Sequence, residues 1–232
     1  MEQCKALCKK YRHALPLIIY GIIYWTWFQH LESTVTTHFR VIHMNVDDYI
    51  PFCELFVIPY FLWFAYVSAV VLYLFFTDKT DYYRTCVFLF TGMTVFLIVS
   101  TLWPNGHHLR LSVMPRDNIF THMVAALWRT DTPTNLWPSI HVYNSLGAHF
   151  AVMHNERLSH RKGIRIGSFA LACSIILSTV FIKQHSVFDV LTAFCMSAVM
   201  YAVVYRYDLV LAVRAMRERM RERRKTGPEI AR

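Results

Sequence analysis

Glycine is scarce in this chain, with seven residues in 232, and no stretch is rich in Gly or Ser, repeated or of low complexity. Flexible inter-domain linkers and repeat arrays are thereby excluded, and residues 1–232 read as a single domain. The six cysteines, at positions 4, 8, 53, 86, 173 and 195, show none of the paired spacings that hold zinc, so reduced or buried thiols are expected. No Ala-x-Ala-like cleavage site follows the first apolar block, and more apolar blocks come after it. It therefore reads as an uncleaved anchor rather than a secretory signal.

Apolar side chains are abundant. Hydrophobic residues make up 55% of the chain and aromatic residues 16%, and the mean hydropathy is +0.31. These values are high for a soluble domain, and the apolar residues fall in six blocks: residues 14–27, 51–76, 86–103, 138–154, 164–182 and 187–207. The expected fold class is all-α, a polytopic membrane helical bundle with six transmembrane helices and a short interfacial helix. The first and fourth blocks are short for a hydrocarbon core that takes about 20 residues. The fourth also carries His141, Asn144, Ser145 and His149.

Cations test the orientation, because Lys and Arg accumulate in cytoplasmic loops. With the N-terminus inside, 19 of the 24 Lys and Arg lie on the cytoplasmic side. Both termini are then cytoplasmic, and the plasma (cytoplasmic) membrane is the expected location. Residues 208–232 form a basic cytoplasmic tail. The formal charge of +9 is accounted for by membrane-surface basicity, and no nucleic-acid partner is expected. Arg40, Arg110, Arg116, Arg129 and Lys183 face outward. Four of these five sit in the two outer loops nearest the fourth and sixth spans, which hints at an anion site.

The outer segment 104–137 is too long for a minimal connection. Within it, Pro115-Arg116-Asp117-Asn118 predicts a helix start with Asp117 or Asn118 as cap and an apolar stripe of Ile119, Met123 and Leu127, with Phe120 beside it. Such a helix would lie in the interface. The segment 130–135 reads as turn chemistry leading back to Pro138. Residues 29–50, with the paired Asp47 and Asp48, carry no readable role. Glu54 reads as an interfacial or hydrogen-bonded carboxylate.

His185 and Asp189 are four residues apart, so one helical turn puts them on the same face. A carboxylate there fixes the imidazole tautomer and leaves the other nitrogen free to attack an electrophile or bind a metal. Pro138-Ser139-Ile140-His141 marks a helix start whose free amides make an anion seat, with a hydroxyl at Ser139 and a proton donor at His141. Read alone, Ser139 is a helix cap and His141 an interfacial histidine. Cations, a helix N-terminus and two histidines at one membrane face suit phosphate better than an acyl group or a sugar. Magnesium or calcium would want several carboxylates, and only Asp189 lies in these motifs. A zinc site of His141, His185 and either His107 or His108 is the alternative, opposed by the surrounding cations.

Arg110, Pro138-Ser139-Ile140-His141 and His185-x-x-x-Asp189, in this order, resemble the three signature motifs of the type 2 phosphatidic acid phosphatase superfamily of integral-membrane lipid phosphatases. The stretches 131–143 and 178–190 are similar to a branch that includes inositol phosphorylceramide synthase-like phosphotransferases. The resemblance covers roughly residues 100–207. It implies that His185 is the nucleophile forming a phosphohistidine, that Asp189 holds its tautomer, and that His141 is the general acid and then base. It implies further that Arg110, Ser139 and the backbone amide of Ile140 hold the nonbridging oxygens. No metal or other cofactor is then needed.

The departures fall on the cations. Trp103 and Leu111 stand where the first motif has Lys and Pro, Ile140 replaces a Gly, and Ser178-Thr179 replaces Ser-Arg. Arg116 and Lys183 are the expected replacements in phosphate binding. The implied function is a phosphohydrolase for phosphatidic acid, polyprenyl pyrophosphate or a related lipid phosphate at the outer membrane face. A phosphotransferase passing a phospho-headgroup to a lipid or polyol hydroxyl is the alternative, and a noncatalytic lipid-binding or transport protein the third.

Overall fold

The computed structural model describes residues 11–35 and 38–226. A single 3₁₀ turn leads into α1 (Leu15–Thr34), and a two-residue strand β1 (Arg40–Val41) precedes the short α2 (Asn45–Tyr49). Then come α3 (Val57–Thr77), α4 (Lys79–Leu102), strand β2 (Asn105–Gly106), α5 (Ile119–Thr130) and α6 (Ile140–His154). The chain ends in α7 (Glu156–Ser159), α8 (Lys162–Phe181), α9 (Val187–Tyr201), a π-helical turn over Ala202–Arg206, and α10 (Leu209–Thr226). The strands pair in parallel, Arg40 against Asn105 and Val41 against Gly106.

Among the described residues, four segments are long and apolar enough to cross a membrane: Glu54–Thr77, Lys79–Leu102, Lys162–Phe181 and Val187–Arg206. They mark an integral membrane protein. All six apolar blocks are helical, and four of the expected six spans are long and apolar enough by themselves. The 20-residue α1 carries Gln29, His30 and Glu32 in its last turns. The 15 residues of α6 reach only about 22 Å at the helical rise, against a hydrocarbon core of about 30 Å.

The polar character of α6 follows from its place in the bundle. It packs against α3, α4, α8 and α9 and buries Val142, Tyr143, Asn144, Ser145, Gly147, Ala148, Ala151 and Val152. Small residues let the neighbours close in, which is what holds helices together where lipid makes apolar burial weak. The fit is tightest where α4 crosses. The Tyr143 hydroxyl donates to the Phe88 carbonyl at 2.9 Å, the two rings stack at 4.6 Å, and a Cβ on Gly92 would lie 2.0 Å from the Tyr143 ring. Gly92→Ala is therefore expected to cost about 1–3 kcal/mol, read as a lowered thermal midpoint in detergent. An unchanged midpoint would show that Tyr143 moves aside freely.

The expected short helix is α5. Its cap is Asn118, whose side chain accepts from the Phe120 and Thr121 amides. Its inner face differs from the expected stripe: Val124 is fully buried while Ile119 is 68% exposed. Phe120, Met123, Leu127 and Trp128 join Val124 against Val57, Tyr60 and Ile182. The cap oxygen fixes the helix phase, and that phase turns Ile119 away from the bundle. Glu54 anchors the approach to this helix, accepting from Arg116 Nε at 2.6 Å and from Asn118 Nδ2 at 3.0 Å. Cys53, Cys86, Cys173 and Cys195 are free thiols, while Cys4 and Cys8 lie outside the described residues.

Candidate active site

α8 ends in a tight turn. The Gln184 and His185 amides both donate to the Thr179 carbonyl at 2.9 Å, and Lys183 adopts a left-handed backbone with φ of 56°. Ser186 then caps α9, its hydroxyl accepting from the Phe188 amide at 3.2 Å. One turn on, Asp189 reaches back to accept from the Ser186 amide at 3.0 Å. This reciprocal cap is coded locally by Ser186-x-x-Asp189. The same Asp189 oxygen accepts from His185 Nδ1 at 3.3 Å, so the capping carboxylate also orients the imidazole. His185 Nε2 then faces His141 Nδ1 at 3.4 Å.

His141 stands in the first turn of α6, which Ser139 caps by accepting from the Val142 amide at 3.4 Å. The Ser139 amide donates to the Asp189 carbonyl at 3.4 Å, which ties the two helix starts together. Pro138 thus precedes the cap rather than occupying the first turn. The His141 ring is sandwiched by Tyr60, at 4.6 Å, and Trp63, at 4.3 Å. With Nδ1–H of His185 assigned to Asp189, Nε2 is bare and accepts the His141 Nδ1 proton. His185, Asp189 and His141 form one chain of groups, and His185 is 4% exposed.

The two helix starts treat their amides differently. On α9, the Ser186 amide goes to Asp189, Val187 to Asp47 at 2.8 Å, and Phe188 to the Ser186 hydroxyl. On α6, the Ile140 and His141 amides find no acceptor among the described residues. The end of α6 is thus open to an anion and that of α9 is filled.

The predicted cations divide. Arg110 reaches the site region, donating from Nη1 to the Trp128 carbonyl at 2.8 Å and from Nη2 to the Asp131 carbonyl at 2.7 Å and to Gln184 Oε1 at 2.6 Å. Its Nε is buried without a partner. Arg116 and Lys183, the expected replacements in phosphate binding, are each engaged by other partners. Arg116 forks onto Glu54 with its side chain 53% exposed. Lys183 donates to the Asp47 carbonyl at 2.9 Å and the Ile50 carbonyl at 2.6 Å. Arg116→Ala and Lys183→Ala are therefore each expected to lower the thermal midpoint without removing a direct phosphate ligand. A selective rise in KM for phosphate substrates in either variant would show direct binding after all. Trp103, at the position of the motif Lys, lies 5.1 Å beneath the Arg40 guanidinium.

Three residues of the site were not singled out in the sequence. Gln184, 1% exposed, donates to Asp131 at 2.7 Å and to the Tyr60 hydroxyl at 3.3 Å. Asp131 reads from the sequence as turn chemistry, and burial pushes its carboxyl up to about 6, with the Arg110 charge opposing. Asp47 sat in the uninterpreted outer segment. A glutamine next to a histidine and an aspartate in a turn are ordinary local signals, and only the fold joins them.

Burial, with the Arg110 charge added, pushes the His185 imidazole down to about 3. Burial also lowers His107 to about 4. His107 is engaged at both nitrogens, with Nε2 facing the Gln184 carbonyl at 2.9 Å and Nδ1 accepting from the Leu109 amide at 3.2 Å. Among the described residues no group of three or more His, Cys, Asp and Glu could hold a metal ion. Both imidazoles lie below the ordinary 6.5, so the stability present above that value is lost as pH falls toward 4 and then 3. Asp131 has the opposite sign: its contribution is present below the ordinary 3.8 and lost as pH rises through about 6. Of these three groups the two imidazoles outweigh the one carboxyl, so their joint contribution to the thermal midpoint declines from pH 6.5 to 4. His107→Gln should flatten that decline, and an equal slope in the variant would exclude His107 as a contributor.

Compared with known proteins, the chain matches no protein-family model, no curated protein and no solved structure.

Proposed function

We propose that this protein is a metal-independent lipid phosphate phosphohydrolase working through a phosphohistidine. The observation that carries the reading is the Asp189–His185–His141 chain, with 3.3 Å and 3.4 Å between successive polar atoms, beside the open amides of α6. In this reading α1 and α6 also cross the bilayer, giving six spans, and the basic termini lie on the cytoplasmic side with the imidazoles near the opposite face.

In the unliganded site the His141 proton lies on the axis along which His185 Nε2 would attack. Substrate entry parts the rings and places phosphorus between them. Nε2 then forms the N–P bond as the bond from phosphorus to the lipid oxygen breaks, and His141, made an imidazolium by the proton that the bound phosphate monoanion brings, passes that proton to the oxygen and is left neutral. Asp189 stabilises the positive charge that appears on the His185 ring. The Ile140 and His141 amides, with Arg110 Nε, take the charge on the nonbridging oxygens. In the second half His141 accepts a proton from water, water oxygen attacks phosphorus, and the N–P bond breaks to release phosphate.

A second reading has its own support. Among the described residues Arg110 is the cation whose charge acts on His185, and Arg116 and Lys183 are engaged by other partners. One positive charge matches a phosphodiester monoanion better than a phosphomonoester dianion. That balance favours transfer of a phospho-headgroup to a lipid or polyol hydroxyl, with the acceptor hydroxyl in place of water. Incubating purified protein with phosphate-labelled lipids decides between them: free phosphate supports the hydrolase, a new labelled phospholipid the transferase, and neither product removes both. Excess chelator is expected to leave turnover unchanged, and restoration of a lost activity by a divalent cation would overturn the metal-independent mechanism.

A further inference from the structure

The outer segment around α2 grips the turn that carries His185 from two sides. The Asp47 carboxylate, in a residue 2% exposed, accepts from the Ser186 hydroxyl at 2.6 Å, from the Val187 amide at 2.8 Å and from the Met44 amide at 2.8 Å. In return, Lys183 donates to the Asp47 and Ile50 carbonyls. Residues on both flanks of His185, at 183, 186 and 187, are thus fastened to one five-residue helix more than 130 positions earlier in the chain.

The chemistry of these contacts goes beyond ordinary capping. Ser186 alone satisfies the Phe188 amide, and Asp189 alone satisfies the Ser186 amide, so the reciprocal cap of α9 forms without Asp47. What Asp47 adds is a charged acceptor for the Ser186 hydroxyl proton, which locks that hydroxyl so that its oxygen faces the Phe188 amide. It also occupies the Val187 amide, the one first-turn donor the local cap leaves over. Asp47 thereby fixes both residues that follow His185, and with them the angle at which the imidazole leaves the backbone.

We propose that Asp47 is a positioning residue for His185: through Ser186 and Val187 its carboxylate holds the His185 imidazole between Asp189 and His141. The proposal rests on the reading of His185 as the nucleophile only for its catalytic consequence, since the imidazole geometry is measurable without turnover. Displacement of a reacting group by about 1 Å costs on the order of 10²-fold in rate. Loss of Asp47 should therefore act on kcat, because its carboxylate is taken up by Met44, Ser186 and Val187, and should leave KM nearly unchanged.

The test uses the full-length protein in detergent with Asp47→Ala, Asp47→Asn and Ser186→Ala. Turnover of labelled lipid phosphate, thermal midpoint and histidine side-chain ¹⁵N shifts are measured for each. Asp47→Ala is expected to lower kcat on the order of 10²-fold and to redistribute the His185 tautomers. Asp47→Asn, whose amide oxygen still accepts from the Val187 amide, should recover part of both. Ser186→Ala combined with Asp47→Ala should cost less than the product of the separate effects, because both act through one contact. If Asp47→Ala lowers the thermal midpoint while kcat and the His185 shifts of the folded protein stay at wild type, Asp47 is structural only and the proposal is overturned. Should Asp47→Ala fail to fold, the same comparison is made with Asp47→Asn and Ser186→Ala, and unchanged His185 shifts in both overturn it. If wild-type protein transforms no phospholipid, the nucleophile reading fails on its own, and the ¹⁵N shifts alone decide whether Asp47 positions the imidazole.

Discussion

His185→Ala is expected to abolish phosphoryl capture and to lower turnover of lipid phosphate by about 10⁴-fold or more, since no second nucleophile stands where Nε2 stands. Wild-type protein mixed with labelled substrate and quenched in alkali should retain acid-labile label on His185, and the variant should retain none. The thermal midpoint checks that the loss is chemical. The imidazole is buried and neutral, so its removal leaves a cavity and a modest drop in stability rather than a collapse. Wild-type turnover in His185→Ala would sink the phosphohistidine mechanism, and label found on His141 instead would exchange the two roles.

His141→Ala separates the two half-reactions. With an alkyl leaving group, loss of the general acid should cost about 10²–10⁴-fold in turnover. A substrate whose leaving group is a stable anion needs no proton, so His185 should still be phosphorylated at a rate near wild type. Hydrolysis of that phosphohistidine needs a base for water, so label should accumulate in His141→Ala where wild type turns over. Equal damage to capture and to release would instead assign His141 to binding. His141→Asn carries an acceptor and a donor of similar size but cannot cycle a proton. Its failure to rescue would confirm that proton transfer, and not shape, is what His141 supplies.

The part of the site readable from the sequence is the part built from short-range contacts. His185 and Asp189 meet because a helical turn puts them together, and Ser139 and Ser186 cap because serine oxygen reaches an amide two or three residues on. The helices were legible in outline for the same reason, since apolar runs are local. Of the cations, Arg116 and Lys183 were not legible. Arg116 is held by Glu54 across 62 positions and Lys183 by main-chain carbonyls 133 and 136 positions away. Carbonyl acceptors have no sequence signature, so charge alone placed these residues at the site when their hydrogen bonds lead elsewhere. α6 misleads in the opposite way. Its polar residues read as a weak membrane span, yet the helix is short and polar because four other helices surround it.

Lys183 occupies a backbone region that L-residues other than Asn and Asp seldom adopt. Holding it there costs on the order of 1 kcal/mol, a cost glycine would escape. Lysine stands at that point, two residues before the imidazole, and its amine is held by two carbonyl partners. Replacement by glycine would consequently relax the turn and release its grip in one step. The turn would then be easier to form and less well aimed, which makes the strain at residue 183 a counterweight to the accuracy of its neighbour.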